Sequence, residues 1–218
     1  GTYFLGLTGA KDDDAAATGD LDILGTCPSA DINLPCLKIE GSGRGSTLID
    51  GGGVARVFHF VGKNTVKITG VTIQNGSVTD DNGGGIKNSN GWVTLENCEI
   101  INNTVSTTGA RYSGGGIYSA FGGRMVINRC TISGNKVNNT AGIKADDYIF
   151  GVGGGGGGIS NVGVMTIKST TIQDNLGRPL GGGIMNVSGF VGESGKLTVI
   201  SSTLQRNKNA NDDGSTPN

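Results

Sequence analysis

The sequence predicts an all-β chain wound as a right-handed, single-stranded parallel β-helix (a β-solenoid) with three short strands per coil. Three observations predict it. One phrase recurs along the chain at wide, uneven spacing. Within the phrase, apolar residues alternate with period 2, and no helical period appears anywhere. Glycine accounts for 42 of 218 residues, against a usual share of ~7%, and it stands in fixed places between the alternating segments. A Gly-X-Y period is absent and only 4 prolines are present, which excludes collagen.

Aligned on their closing residue, five lines repeat: Val66–Gly76, Val93–Asn103, Met125–Asn135, Met165–Asn175 and Leu197–Asn207. The last four are spaced by 32, 40 and 32 residues, and a Gly-Gly-Gly-Ile precedes each, at Gly83–Ile86, Gly114–Ile117, Gly156–Ile159 and Gly181–Ile184. In Val93–Ile100 the alternation slips by one residue at Glu96–Asn97 and then resumes. That pattern describes two short strands joined by a tight bend. The segment opened by the three glycines supplies the third strand, after a turn that favours φ > 0. Stacking the coils makes columns of inward residues: Leu95, Ile127, Ile167, Val199, and Ile100, Ile132, Ile172, Leu204. A further column, Asn103, Asn135, Asn175 and Asn207, is expected to satisfy buried backbone groups by laddering its amides. An antiparallel propeller or sandwich can repeat at similar length, but these strands are too short for it and no hairpin signal joins them.

A single domain is expected over 1–218. Residues 1–50 read as N-terminal coils with a Cys-bracketed loop, 51–207 as regular coils, and 208–218 as a tail without a cap. The tail resembles the loop that would precede another Gly-Gly-Gly-Ile. The chain also starts at Gly1 without Met. It is therefore read as a mature or excised piece of something longer, with the missing cap supplied by further coils or by another molecule. The longest interruption, Asn138–Gly153, is expected as an external loop with Tyr148–Ile149–Phe150 folded back on the surface.

Charge narrows the function classes. A net charge of −1 gives no electrostatic case for nucleic acid or an anionic membrane. No apolar run approaches the ~20 residues of a membrane helix, so no membrane insertion is expected. Cys27 and Cys36 bracket eight residues and are expected to be bridged. Cys98 and Cys130 occupy the same repeat position and read as small inward residues in one column; a bridge between them stays open, since adjacent coils lie within disulfide reach. Zinc is not expected, because there is no CxxC and His59 is the single histidine. His59 stands between Phe58 and Phe60, which should point inward, so it is expected to face solvent. Acidic pairs in the loops, chiefly Asp80–Asp81 and Asp146–Asp147, are candidate calcium ligands, although Asp also simply favours turns.

Catalytic material is sparse. The outward rows are Lys67, Thr94, Val126, Thr166, Thr198 and Thr72, Glu99, Thr131, Thr171, Thr203, which together hold one carboxylate. A glycosidase needs two. The threonines also suggest an ice-binding ladder, which Lys67, Glu99 and Val126 interrupt. Asn75, Asn102, Asn138 and Asn186 open N-x-S/T sequons.

The segments "TGDLDI" and "IDGGGVARVFHFVGKNTVKITGVTIQNG", with the serial Gly-Gly-Gly-Ile phrase, resemble bacterial cell-surface β-helix proteins. They are similar to the polymorphic outer-membrane protein repeats and the adhesin-like proteins that carry them. The resemblance covers essentially the whole chain, apart from the insert "CPSADINLPC". It implies a secreted or cell-surface location and an adhesive or structural role without catalysis or a required cofactor. Partners would be a glycan, a host protein, or other copies through open helix ends. A polysaccharide lyase, glycosidase or glycan-binding lectin is the alternative that the β-helix fold leaves open.

Overall fold

The computed structural model describes residues 1–4, 19–27, 34–108, 112–139, 154–178, 180–187 and 195–209. Among them there are 24 short strands and no helix, and every strand pairing is parallel. The fold is the expected parallel β-helix. The N-terminal part contributes β1 (Thr2–Phe4), β2 (Leu21–Ile23), β3 (Leu37–Glu40) and β4 (Leu48–Asp50). Five coils follow: β5 (Phe58–Phe60), β6 (Thr65–Thr69), β7 (Thr72–Gln74), β8 (Ser77–Thr79); then β9 (Ile86–Asn88), β10 (Trp92–Glu96), β11 (Glu99–Ile101), β12 (Thr104–Thr107); then β13 (Ile117–Ser119), β14 (Arg124–Asn128), β15 (Thr131–Ser133), β16 (Lys136–Asn139). The last two are β17 (Ile159–Asn161), β18 (Val164–Lys168), β19 (Thr171–Gln173), β20 (Leu176–Gly177) and β21 (Ile184–Asn186), β22 (Lys196–Ile200), β23 (Thr203–Gln205), β24 (Lys208–Asn209).

Four sheets result, in the orders β1-β4-β7-β11-β15-β19-β23, β3-β6-β10-β14-β18-β22, β2-β5-β9-β13-β17-β21 and β8-β12-β16-β20-β24. The first three hold the three strands anticipated for each coil. The fourth comes from the stretch after the Asn column, and the first two residues of the tail extend it as β24. The proposed columns are in register: Leu95 pairs with Ile127, Ile127 with Ile167, and Ile167 with Val199, while Ile100, Ile132, Ile172 and Leu204 form the next row. Up to Ile167 and Ile172 these aliphatics, with Phe58 and Phe60, make one continuous core along the stack. Val78, Val105 and Val137 form a smaller cluster under the fourth sheet.

The three glycines of the repeated phrase do three different jobs. The first has a positive φ (71° at Gly83, 74° at Gly114, 64° at Gly156, 54° at Gly181), a left-handed turn that costs other L-residues energy. The second lies against backbone: a Cβ on Gly115 would sit 2.4 Å from the carbonyl oxygen of Lys136. The third packs on the Asn column, where a Cβ on Gly116 would meet Asn135 Cγ at 2.9 Å.

Asn103 Nδ2 donates to Asn135 Oδ1 at 2.9 Å, Asn135 Nδ2 to Asn175 Oδ1 at 3.0 Å and Asn175 Nδ2 to Asn207 Oδ1 at 2.9 Å. The same Oδ1 atoms accept the backbone N–H of the residue one coil earlier, and each Nδ2 also donates to a core-strand carbonyl such as Ile100 O at 2.9 Å. Gly76 holds the ladder's first place and donates its N–H to Asn103 Oδ1 at 2.8 Å.

A second internal ladder runs through the cysteine column. Cys98 N–H donates to Cys130 Sγ at 3.4 Å, Cys130 N–H to Thr170 Oγ1 at 3.2 Å, and Thr170 N–H to Ser202 Oγ at 3.2 Å. Position by position, a sulfur or hydroxyl caps the amide of the coil before it. Cys98 and Cys130 are buried free thiols. Cys98 beside it, together with burial, pushes the Cys130 thiol up, which keeps it protonated at neutral pH. Cys27 and Cys36 form a disulfide with Cα atoms 6.1 Å apart, next to the Cys27–Asn64 bridge to the following coil.

Candidate functional site

The sheet containing β2, β5 and β9 carries a concentration of charge found on its outward side. Asp22, His59 and Lys87 stand in one row, paired laterally strand to strand. The alternation Phe58-His59-Phe60 turns both rings into the core, where they stack at 5.8 Å. His59 therefore points away from the core, as its position requires. It does not face solvent, however: it is only 2% exposed, which corrects the sequence expectation. Its Nδ1 lies 3.2 Å from Asp22 Oδ1 and its Nε2 lies 2.9 Å from Ser89 Oγ.

Residues just ahead of the strands complete the cluster. Arg56, 1% exposed, donates through Nη1 to Asp20 Oδ2 at 3.1 Å and through Nε to the Gly83 carbonyl at 3.0 Å, and it pairs through Nη2 with Asp81. Lys87 Nζ reaches both oxygens of Asp81, at 3.0 and 2.9 Å. Asp20, Asp22 and Asp81 against Arg56 and Lys87 leave a net charge of −3 + 2 = −1 while His59 is neutral. Asp20, Asp22 and His59 each direct one ligand atom into a common space, all within 4.8 Å of one another. Two carboxylates and an imidazole are a donor set that a divalent cation can take. Composition and spacing alone do not reveal this set, since Asp20 and His59 are far apart in sequence and meet only through strand register.

The acidic residues singled out in the sequence are placed otherwise. Asp80 accepts from Thr108 N–H at 2.7 Å and from Thr108 Oγ1 at 2.8 Å; these two hydrogen bonds hold its carboxyl below the usual value. Asp81 turns to Arg56 and Lys87, so the pair is not brought to one point. Asp146 and Asp147 lie outside the described residues, as do Tyr148–Phe150. The threonine row is not a flat exposed face: Thr72 is buried where the turn at 43–47 crosses it, and its Oγ1 accepts Gly45 N–H at 2.9 Å and donates to Glu99 Oε2 at 3.0 Å. Thr94 and Lys67 share the other row, where Lys67 and Arg129 both pair with Glu96.

A shallow open groove lies beside β4 and β7, lined by Asp50, Gly52, Asn75, Ser77, Asn102 and Thr104. Asp50 accepts from Gln74 Nε2 at 2.6 Å, Asn75 Nδ2 at 2.9 Å and Gly52 N–H at 2.8 Å. It is a carboxylate surrounded by amides and hydroxyls, a surface suited to hydrogen-bonding a polyhydroxylated ligand. Comparison with protein-family models, with curated proteins and with solved structures finds no match.

Proposed function

We propose that this chain is a non-enzymatic structural or adhesive module that works outside the cell or on its surface and assembles end to end. The observation that carries the reading is the state of the last described coil. Val199 and Leu204 are 42% and 50% exposed, whereas their register partners one coil earlier, Ile167 and Ile172, are 0% exposed. β21, β22, β23 and β24 are also the edges of their four sheets, so their outer backbone groups offer a parallel template. At the other end, β1, β2 and β3 are edges of three of the same sheets, with Leu21 exposed among them. The opposite end of a second copy matches both the strand direction and the apolar columns, as a further coil would. A head-to-tail contact of that kind does not close and extends into a filament. Polar side chains elsewhere support a scaffold, because they bond laterally from coil to coil, as Asp174 does with Arg206 at 2.7 and 2.8 Å. The Cys27–Cys36 disulfide fits an oxidising location.

Light scattering and electron microscopy test this reading. Assemblies should lengthen with concentration and be lost in Leu204→Lys. Monodisperse monomer across the whole range would overturn it. The groove around Asp50 favours a second reading, a lectin-like or carbohydrate-active surface. Binding or cleavage of pectin or alginate, with and without Ca²⁺, that Asp50→Asn abolishes would support it.

A further inference from the structure

We propose that Asp20, Asp22 and His59 form a binding site for a first-row divalent cation of the zinc type, which clasps β2 to β5. This goes beyond the scaffold reading and is independent of it. Three observations converge. The ligand atoms already lie within 4.8 Å of one another; a four-coordinate zinc with bonds of about 2.0–2.2 Å places its ligands about 3.3–3.6 Å apart, so small side-chain rotations close the set. The three side chains are shielded from water, with Asp20 and His59 among the buried residues and the Asp22 side chain fully covered. The outer partners are those a metal site uses: Ser89 Oγ lies 2.9 Å from His59 Nε2, where it can accept that N–H and leave the Nδ1 lone pair facing the carboxylates, and Arg56 holds the second oxygen of Asp20 at 3.1 Å.

The donor chemistry selects the ion. Calcium and magnesium take oxygen ligands, six or more for calcium. An imidazole with two carboxylates in a buried space suits zinc or a neighbouring first-row ion. Because Asp20 and Asp22 come from one coil and His59 from the next, the ion would cross-link the N-terminal coil to the regular stack.

The experiment uses the full chain without an added histidine tag, stripped with chelator and titrated with Zn(II), read by metal analysis, calorimetry and thermal unfolding. One equivalent should bind, and the unfolding midpoint should rise by roughly 5–10 °C at a hundred-fold excess over Kd. His59→Gln should abolish binding. Ser89→Ala, which keeps every ligand, should weaken it about 10–100-fold, so the proposal stays testable should the His59 variant not fold. Calcium should produce no shift. Absence of stoichiometric zinc binding, equal binding by wild type and Ser89→Ala, or a preference for calcium would each overturn the proposal; the first outcome would leave the cluster as an ion-pair network.

Discussion

A single asparagine in this fold serves four hydrogen bonds. Asn135 accepts from the backbone and the amide of Asn103 through Oδ1, and donates through Nδ2 to Asn175 and to the Ile100 carbonyl. Alanine at that place would strand several buried groups at once, each costing about 1–3 kcal/mol. Asn135→Ala is therefore expected to destabilise by about 3–5 kcal/mol in urea unfolding, with no change of fold in the variant that survives. A loss under 1 kcal/mol would show that the ladder is incidental. The third glycine of the phrase is tied to the same atom group, because Gly116 leaves the room that Asn135 fills. Glycine and asparagine are thus two halves of one packing arrangement, and the repeated phrase carries both.

At the scale of the strand and its bends, each coil passes through two left-handed corners besides the one at the first glycine of the repeated phrase. One lies between the paired strands, at Gly70, Asn97, Arg129, Ser169 and Ser201; the other precedes the ladder, at Asn75, Asn102, Gly134, Asp174 and Arg206. Glycine and asparagine suit such a φ, and serine does not. Ser169, at φ 46°, carries a penalty of about 1–2 kcal/mol, partly offset by the lower backbone entropy of its unfolded chain, about 0.4–1 kcal/mol. Ser169→Gly should stabilise by about 0.5–1 kcal/mol in thermal or urea unfolding, and a destabilised variant would show that the corner carries no strain. The slip in alternation at Glu96–Asn97 was legible as a bend because a period-2 pattern cannot change phase without one. The fourth strand of each coil was not legible: Thr104–Thr107 contains one buried apolar residue, Val105, facing a cluster separate from the main core, too little signal to stand out from a polar loop.

For the molecule as a whole, charge acts along the stack axis. Glu96 takes a hydrogen bond from Lys67 at 2.8 Å and also pairs with Arg129, and these hold its carboxyl below the ordinary 4.5. Arg206 does the same for Asp174, and Thr108 for Asp80. A carboxyl whose folded value is depressed contributes stability that is complete above its unfolded value and is lost as pH falls through the folded one. The stack should therefore weaken below about pH 4.5, with a urea midpoint lower at pH 3 than at pH 7. Glu96→Gln should reduce that difference, and a midpoint indifferent to pH would exclude these pairs as contributors. Salt screens the exposed Arg206–Asp174 pair most and the partly covered Lys67–Glu96 pair less.

The sequence by itself determined the fold class, the inward columns and the Asn ladder. These follow from local periodicity and from a repeat whose every copy meets the same neighbours. Only the tertiary structure decided where charge collects. Which coil lies over which, with Asp22 against His59 and Asp81 turned to Arg56, depends on register between segments of unequal length. A solitary histidine between two phenylalanines reads as exposed until the strand beside it is known. The proposed cation site exists only because β2 and β5 stack, and no spacing within either segment carries it.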